Sequence, residues 1–299
     1  MKKIPALFLI FIASFGFAQS SKLDNKKTSN LDWLVSPFEQ KATITNEGQN
    51  IVLNNGLVKR SFVIAPNIAC FDYMNLTNGQ QLIRSIEPEA KVVIDQITYK
   101  VGGLSGQKEK AYLQIDQIKN LQKADSDFVF SKYTIGKIEP FINWKPTTWL
   151  GNAKQPTGAR IDFEYVSPIA ALKNIIIKVH YEIYDGIPLI TKWISIQNNS
   201  NKSIKINRVV NEVLGLVEEE SAVVGKPEEM KKQHGIYVET NYAFNNAMRY
   251  DISDQTTHWK TDSVYTSQVN YNYQTPCLLE IYPEKAPGID LPPKELFKS

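Results

Sequence analysis

The chain has 299 residues, enough for one large β domain or two ordinary ones. Apolar residues make up 42%, which excludes wholesale disorder, and a formal charge of only +3 argues against nucleic acid as a partner. Two cysteines and three scattered histidines match no metal-ligand spacing, so neither metal nor cofactor is expected.

Lys2 and Lys3 precede an apolar run over residues 4–17, and small Gly16 and Ala18 flank a cut before Gln19. That is the pattern of a secretory signal peptide over residues 1–18, and the run is shorter than the ~20 residues of a membrane span. The expectation is export to the periplasm or beyond. Residues 19–32 are polar and read as a tether, with a β domain over residues 33–299. Cys70 and Cys277 each sit in an apolar strand-like run, so buried free thiols are expected rather than a disulfide.

Short strands follow from Trp33 onward. Apolar runs at 51–53 and 57–65 are interrupted by Asn54-Asn55-Gly56, and Asn78-Gly79 separates two more. Residues 91–94 and 97–101 flank Asp95-Gln96, a two-residue link, and Gly102-Gly103-Leu104-Ser105-Gly106 reads as a flexible loop. The clearest alternation sets Ile175, Ile177, Val179, Tyr181 and Ile183 on one strand face, with Lys178, His180 and Glu182 on the other. Asp185-Gly186 turns the chain back through 188–197, and Asn198-Asn199-Ser200-Asn201 turns it again into 204–217. Three strands in a meander are predicted there, and further strands at 264–273 and 276–282. Residues 227–232, with Pro227 first, acids early and lysines late, suit a short helix. No helix follows a strand in the βαβ manner, so the sheets must pack on each other. The predicted fold is all-β, a large antiparallel β-sandwich.

Candidate ligand residues are few. Trp144 and Trp149 lie in a proline-containing loop, where indole faces could stack on a sugar ring. Trp259 lies beside His258 in a polar, turn-like stretch, and Asp262 follows closely. Trp193 falls within a strand and reads as core. Asp162 and Glu164 share one strand face, close enough for a catalytic pair, but a solvated polar face is the favoured reading. An epimerase would need His180, His234 and His258 to converge with a carboxylate, and their spacing does not predict it.

Several ordered motifs carry a resemblance. Asn54-Asn55-Gly56-Leu57-Val58-Lys59-Arg60-Ser61-Phe62 is followed by Arg84-Ser85-Ile86-Glu87-Pro88-Glu89-Ala90 and by Val101-Gly102-Gly103-Leu104-Ser105-Gly106-Gln107. Tyr181-Glu182-Ile183-Tyr184-Asp185-Gly186-Ile187-Pro188 and Trp259-Lys260-Thr261-Asp262 continue the series. Together they resemble the N-terminal domain of bacterial alpha-galactosidase-like glycoside hydrolases of the family 36 type. The resemblance implies a supersandwich, the galactose-mutarotase-like β fold, set ahead of a catalytic (β/α)8 barrel. It implies galactoside-type oligosaccharide as ligand and the barrel as a partner in cis or in trans. The barrel would carry the nucleophile and acid/base carboxylates, so no catalytic residue is assigned here. A final strand is expected to be missing, leaving the last ladder with an open edge. The alternative is a non-enzymatic carbohydrate-binding module.

Overall fold

The computed structural model describes residues 32–108, 112–140, 155–220, 226, 229–242, 255–265 and 275–299. Eighteen strands occur among them, with short 3-10 turns at Ile115–Asn120 and Ala170–Leu172. In chain order the first strands are β1 (Thr43–Glu47), β2 (Asn50–Asn54), β3 (Val58–Val63), β4 (Ala69–Asn75), β5 (Gln80–Gln81), β6 (Ile83–Ser85), β7 (Ala90–Ile94) and β8 (Ile97–Val101). The next are β9 (Val129–Lys137), β10 (Gly158–Val166), β11 (Ile175–Tyr184), β12 (Ile190–Asn198), β13 (Ile204–Val210) and β14 (Glu212–Leu216). The last are β15 (Thr257–Lys260), β16 (Leu278–Ile281), β17 (Pro287–Leu291) and β18 (Leu296–Lys298).

They form four antiparallel sheets, ordered β1-β2-β3-β4-β5, β18-β12-β11-β10-β9, β17-β13-β7-β8 and β15-β16-β14-β6. The all-β, antiparallel prediction holds. Two continuous layers are not evident, and the four sheets lie in a propeller-like arrangement. All four contribute to one apolar core, which joins Phe62, Phe163, Ile177, Val92, Ile206, Leu214 and Leu279. Phe62 on β3 meets Phe163 on β10 edge-on, with ring centroids 5.2 Å apart, so the first two sheets pack directly on each other. Each fully buried aromatic or branched side chain of this core contributes ~1.5–3 kcal/mol.

Turn chemistry explains the tightest link. Asp95 and Gln96 both have positive φ (49° and 70°), the two-residue turn whose twist matches that of its flanking strands β7 and β8. The alternation along β11 is also as predicted: Ile175, Ile177, Val179, Tyr181 and Ile183 are all fully buried.

Local expectations are corrected at several points. The run 204–217 is not a third meander strand beside β12. It splits at Asn211 into β13 and β14, which join two other sheets, while β18 takes the place beside β12. The cause is the preceding Asn-rich turn. Asn198 is fully buried, and its amide donates to the carbonyls of Lys202, Leu291 and Pro292, which steers the chain away from its former sheet. Leu296–Lys298 pairs with Ser195–Gln197 and is the edge strand of its sheet among the described residues. His258 and Trp259 lie in strand β15 rather than in a turn; of the strand expected at 264–273, Val264 and Tyr265 are not in a strand and residues 266–273 lie outside the described residues. Of the predicted helix at 227–232, residues 227 and 228 fall outside the described residues, Glu229 is in a 3-10 turn, and Lys231 and Lys232 are not helical.

One topological relation bears on the architecture. β17, β13 and β7 neighbour one another in one sheet, and β16, β14 and β6 neighbour one another in the same order in another. Each pair is consecutive in the chain. β6 leads into β7, β13 into β14 through Asn211 alone, and β16 into β17.

Candidate functional site

The outer face of the β18-β12-β11-β10-β9 sheet carries a polar network. In antiparallel register Asp162 on β10 faces His180 on β11, and His180 faces Trp193 on β12. Alternation then puts Arg160, Asp162 and Glu164 on the face that also presents Lys178, His180, Trp193, Ser195 and Gln197. These side chains floor a cavity of about 380 Å³, within the ~300–1,000 Å³ range of small-molecule sites. Leu296 and Lys298 of β18 form part of its wall.

The network is fully connected. His180 Nδ1 lies 2.6 Å from Asp162 Oδ1, and Nε2 lies 2.8 Å from Ser195 Oγ. Arg160 donates to both oxygens of Asp162, at 2.8 and 3.1 Å, and to Glu139 at 3.0 Å. The indole of Trp193 stacks on the His180 ring at 4.8 Å and 11°, and the Arg160 guanidinium lies 5.1 Å from the indole centroid. Partial burial alone would raise the Asp162 pKa. Hydrogen bonds from His180 and Arg160 outweigh it and hold the carboxyl below its ordinary value. Asp162 is therefore an anion that orients the imidazole, with the Ser195 hydroxyl on the other ring nitrogen.

Asp162, His180 and Ser195 thus reproduce the contacts of a charge-relay triad. Among the described residues the backbone does not complete the chemistry. Ser195 pairs with Lys178 on one side and Lys298 on the other, a central ladder position whose N–H is committed to the sheet. An oxyanion needs free, preorganised donors, and this ladder offers no backbone pair for it. What the face does provide is an ordered set of donors and acceptors beside an aromatic wall.

The predicted site residues scatter. Trp144 and Trp149 lie outside the described residues, although Glu139 and Pro140, just before that segment, line the cavity. Trp259 is half-buried and packs against the main core. Asp262 is 1% exposed; one oxygen pairs with Arg84 at 2.7 Å and the other accepts from the backbone N–H groups of Val264 and Tyr265. Its surroundings are those of a buried structural carboxylate. Trp193, expected in the core, lines the cavity instead. The three histidines engage different carboxylates: Asp162 for His180, Glu219 for His234 and Glu284 for His258. Cys70 and Cys277 are buried free thiols, pushed up to about 12 and about 11 chiefly by burial. No group of three or more His, Cys, Asp or Glu side chains able to hold a metal occurs among the described residues.

Sequence reasoning missed Trp193 and Ser195. The signal was present: Trp193, Ser195 and Gln197 alternate with the buried Ile194 and Ile196, which puts them on the outer face. No protein-family model matches the sequence, and no curated protein matches it either.

Proposed function

We propose that this chain is the non-catalytic β-sandwich of an exported alpha-galactosidase-like glycoside hydrolase, and that it holds galactoside-type oligosaccharide on the outer face of the β9–β12 sheet. The observation that carries the binding role is the cavity floored by Arg160, Asp162, His180, Ser195 and Gln197 against Trp193. Sugars offer dense hydroxyls and apolar C–H faces. A site for them combines fixed donors and acceptors with an aromatic side chain, and on this face Trp193 lines the cavity beside the His180 ring it stacks on.

The supersandwich reading gains support from the strand order. β17-β13-β7 and β16-β14-β6 run in the same order, and each pair is joined by a short stretch of chain. Two such sheets are naturally the halves of one bent layer of long strands. The remaining two sheets, joined through Phe62 and Phe163, would pack against it.

Galactoside binding is expected to be weak without a barrel to close the site, with Kd on the order of 1 mM. Calorimetry with an α-galactosyl oligosaccharide tests this. Saturable binding that falls at least about tenfold in Trp193→Ala, with the thermal midpoint nearly unchanged, is the expected result. Binding equal in the wild type and in Trp193→Ala would remove the proposed site. The alternative, a binding module that works alone, is favoured if binding is instead tight, with Kd on the order of 1 μM or below.

A further inference from the structure

We propose that a second cavity, beside Glu87 and the glycine loop, is a separate binding site for a small uncharged polyhydroxylated molecule of monosaccharide size. The cavity holds about 250 Å³, and Glu87, Lys100, Gly103, Ser105, Asp127 and Tyr265 contribute to its lining. It shares no lining residue with the cavity at His180.

The loop expected to be flexible is built in. Gly102 N–H donates to Phe128 O at 3.0 Å, Gly103 N–H to Ile68 O at 2.6 Å, and Ser105 and Gln122 exchange both backbone bonds. Gly103 has φ +83°, and a Cβ there would come within 2.7 Å of the Pro88 backbone. Glycine is therefore required by conformation and by contact, and it lets two backbone segments close around the cavity. Gln107 pins the same loop, accepting from Ile86 N–H and donating to Arg84 O, both at 3.0 Å.

The side chains define the ligand class. Among the described residues, Glu87 has one buried carboxyl oxygen with no hydrogen-bond partner, and the nearby buried hydroxyl of Ser85 has none either. A carboxylate with an unsolvated oxygen is costly, so the neutral acid is favoured. Burial first, and then the neighbouring Asp262 charge, push Glu87 up to about 7, against the opposing pull of Lys91, Lys100 and Arg84. Burial also raises Asp127. A neutral carboxylic acid can both donate to and accept from a hydroxyl. Asp127 accepts, Ser105 does either, and exposed Lys100 at the rim donates. An anionic ligand would meet the Asp127 carboxyl, which lines the cavity, and is disfavoured. The volume, below that of drug-sized pockets, limits occupants to about one sugar ring.

The test is titration calorimetry of the whole chain with D-galactose, D-glucose and myo-inositol, at about pH 6 and about pH 8.5. Saturable binding of at least one probe is expected, weakened about tenfold or more at the higher pH as the Glu87 acid is lost. Glu87→Gln, which keeps a neutral donor and acceptor, should bind equally at both values. Ser105→Tyr should block the cavity, and Trp193→Ala should leave this binding intact. The inference is overturned if none of the three probes binds saturably. It is also overturned if binding survives Ser105→Tyr in a chain that also carries Trp193→Ala, or if Glu87→Gln keeps the wild-type pH dependence.

Discussion

Strands β11 and β12 present two polar networks one residue apart, on opposite faces. On the outer face His180 and Trp193 are paired in register, and on the inner face Tyr181 and Lys192 are. The inner network is sealed. Lys192 Nζ lies 2.7 Å from Glu212, and Arg60 grips Glu212 with bonds of 2.5 and 3.2 Å. Glu89 accepts from the Tyr181 hydroxyl and from Cys70 N–H. Arg60, Glu89 and Glu212 belong to three different stretches of chain, and Glu212 stands where β13 gives way to β14. Burial alone would raise Glu212, but the charges and hydrogen bonds of Arg60 and Lys192 hold it below its ordinary value. Both networks are built from cations, carboxylates and an aromatic ring. What separates a structural tie from a candidate site is access: one is closed in the core, and the other floors an open cavity.

The largest expected effect breaks the sealed network. Glu212→Ala leaves the buried cations Arg60 and Lys192 to share Glu89, at 3.7 and 4.0 Å, and should cost ~3–5 kcal/mol in urea unfolding. A loss below about 1 kcal/mol would mean that the inner network is not the tie described.

Glu87 comes next, with the opposite sign. Its folded pKa is about 7, against an ordinary value of 4.5, so the folded chain binds the extra proton between those values. Stability is therefore lost as pH rises through that window. Glu87→Gln should be more stable than the wild type by ~1–3 kcal/mol at about pH 8.5, with little difference near pH 4. Equal denaturant midpoints across that range would contradict the buried, neutral acid.

Asp162 gives the smallest effect. Its carboxyl is depressed, so its contribution is present above its unfolded value and fades as pH falls through the folded one. Asp162→Asn should cost ~1 kcal/mol at neutral pH, and the cost should vanish in acid. A cost that does not change with pH would point to lost packing rather than lost charge.

Much of the fold was legible because strand alternation needs no knowledge of the partner strand. The period of two along 175–184 identifies the buried face directly, and Asp95-Gln96 marks its own hairpin. Pairing across the sheet was not legible. Asp162 meets His180 only because β10 and β11 adopt one particular register, and the two residues are 18 positions apart in the chain. The crossing after Asn198 was hidden for the same reason, since its three carbonyl partners include Leu291 and Pro292 from far along the chain. Trp193 was misplaced because an indole inside an apolar strand suits a core as well as a cavity wall. Only its phase with Ser195 and Gln197 tells the two apart.

The most direct test of the carbohydrate-binding face is a crystal structure of the chain soaked with an α-galactosyl oligosaccharide. The account predicts a sugar ring in the cavity beside Trp193, with hydroxyls within hydrogen-bond reach of Arg160, Asp162 or Ser195. Well-diffracting crystals with that cavity open to solvent channels and no sugar in it, at a concentration well above ~1 mM, would contradict it.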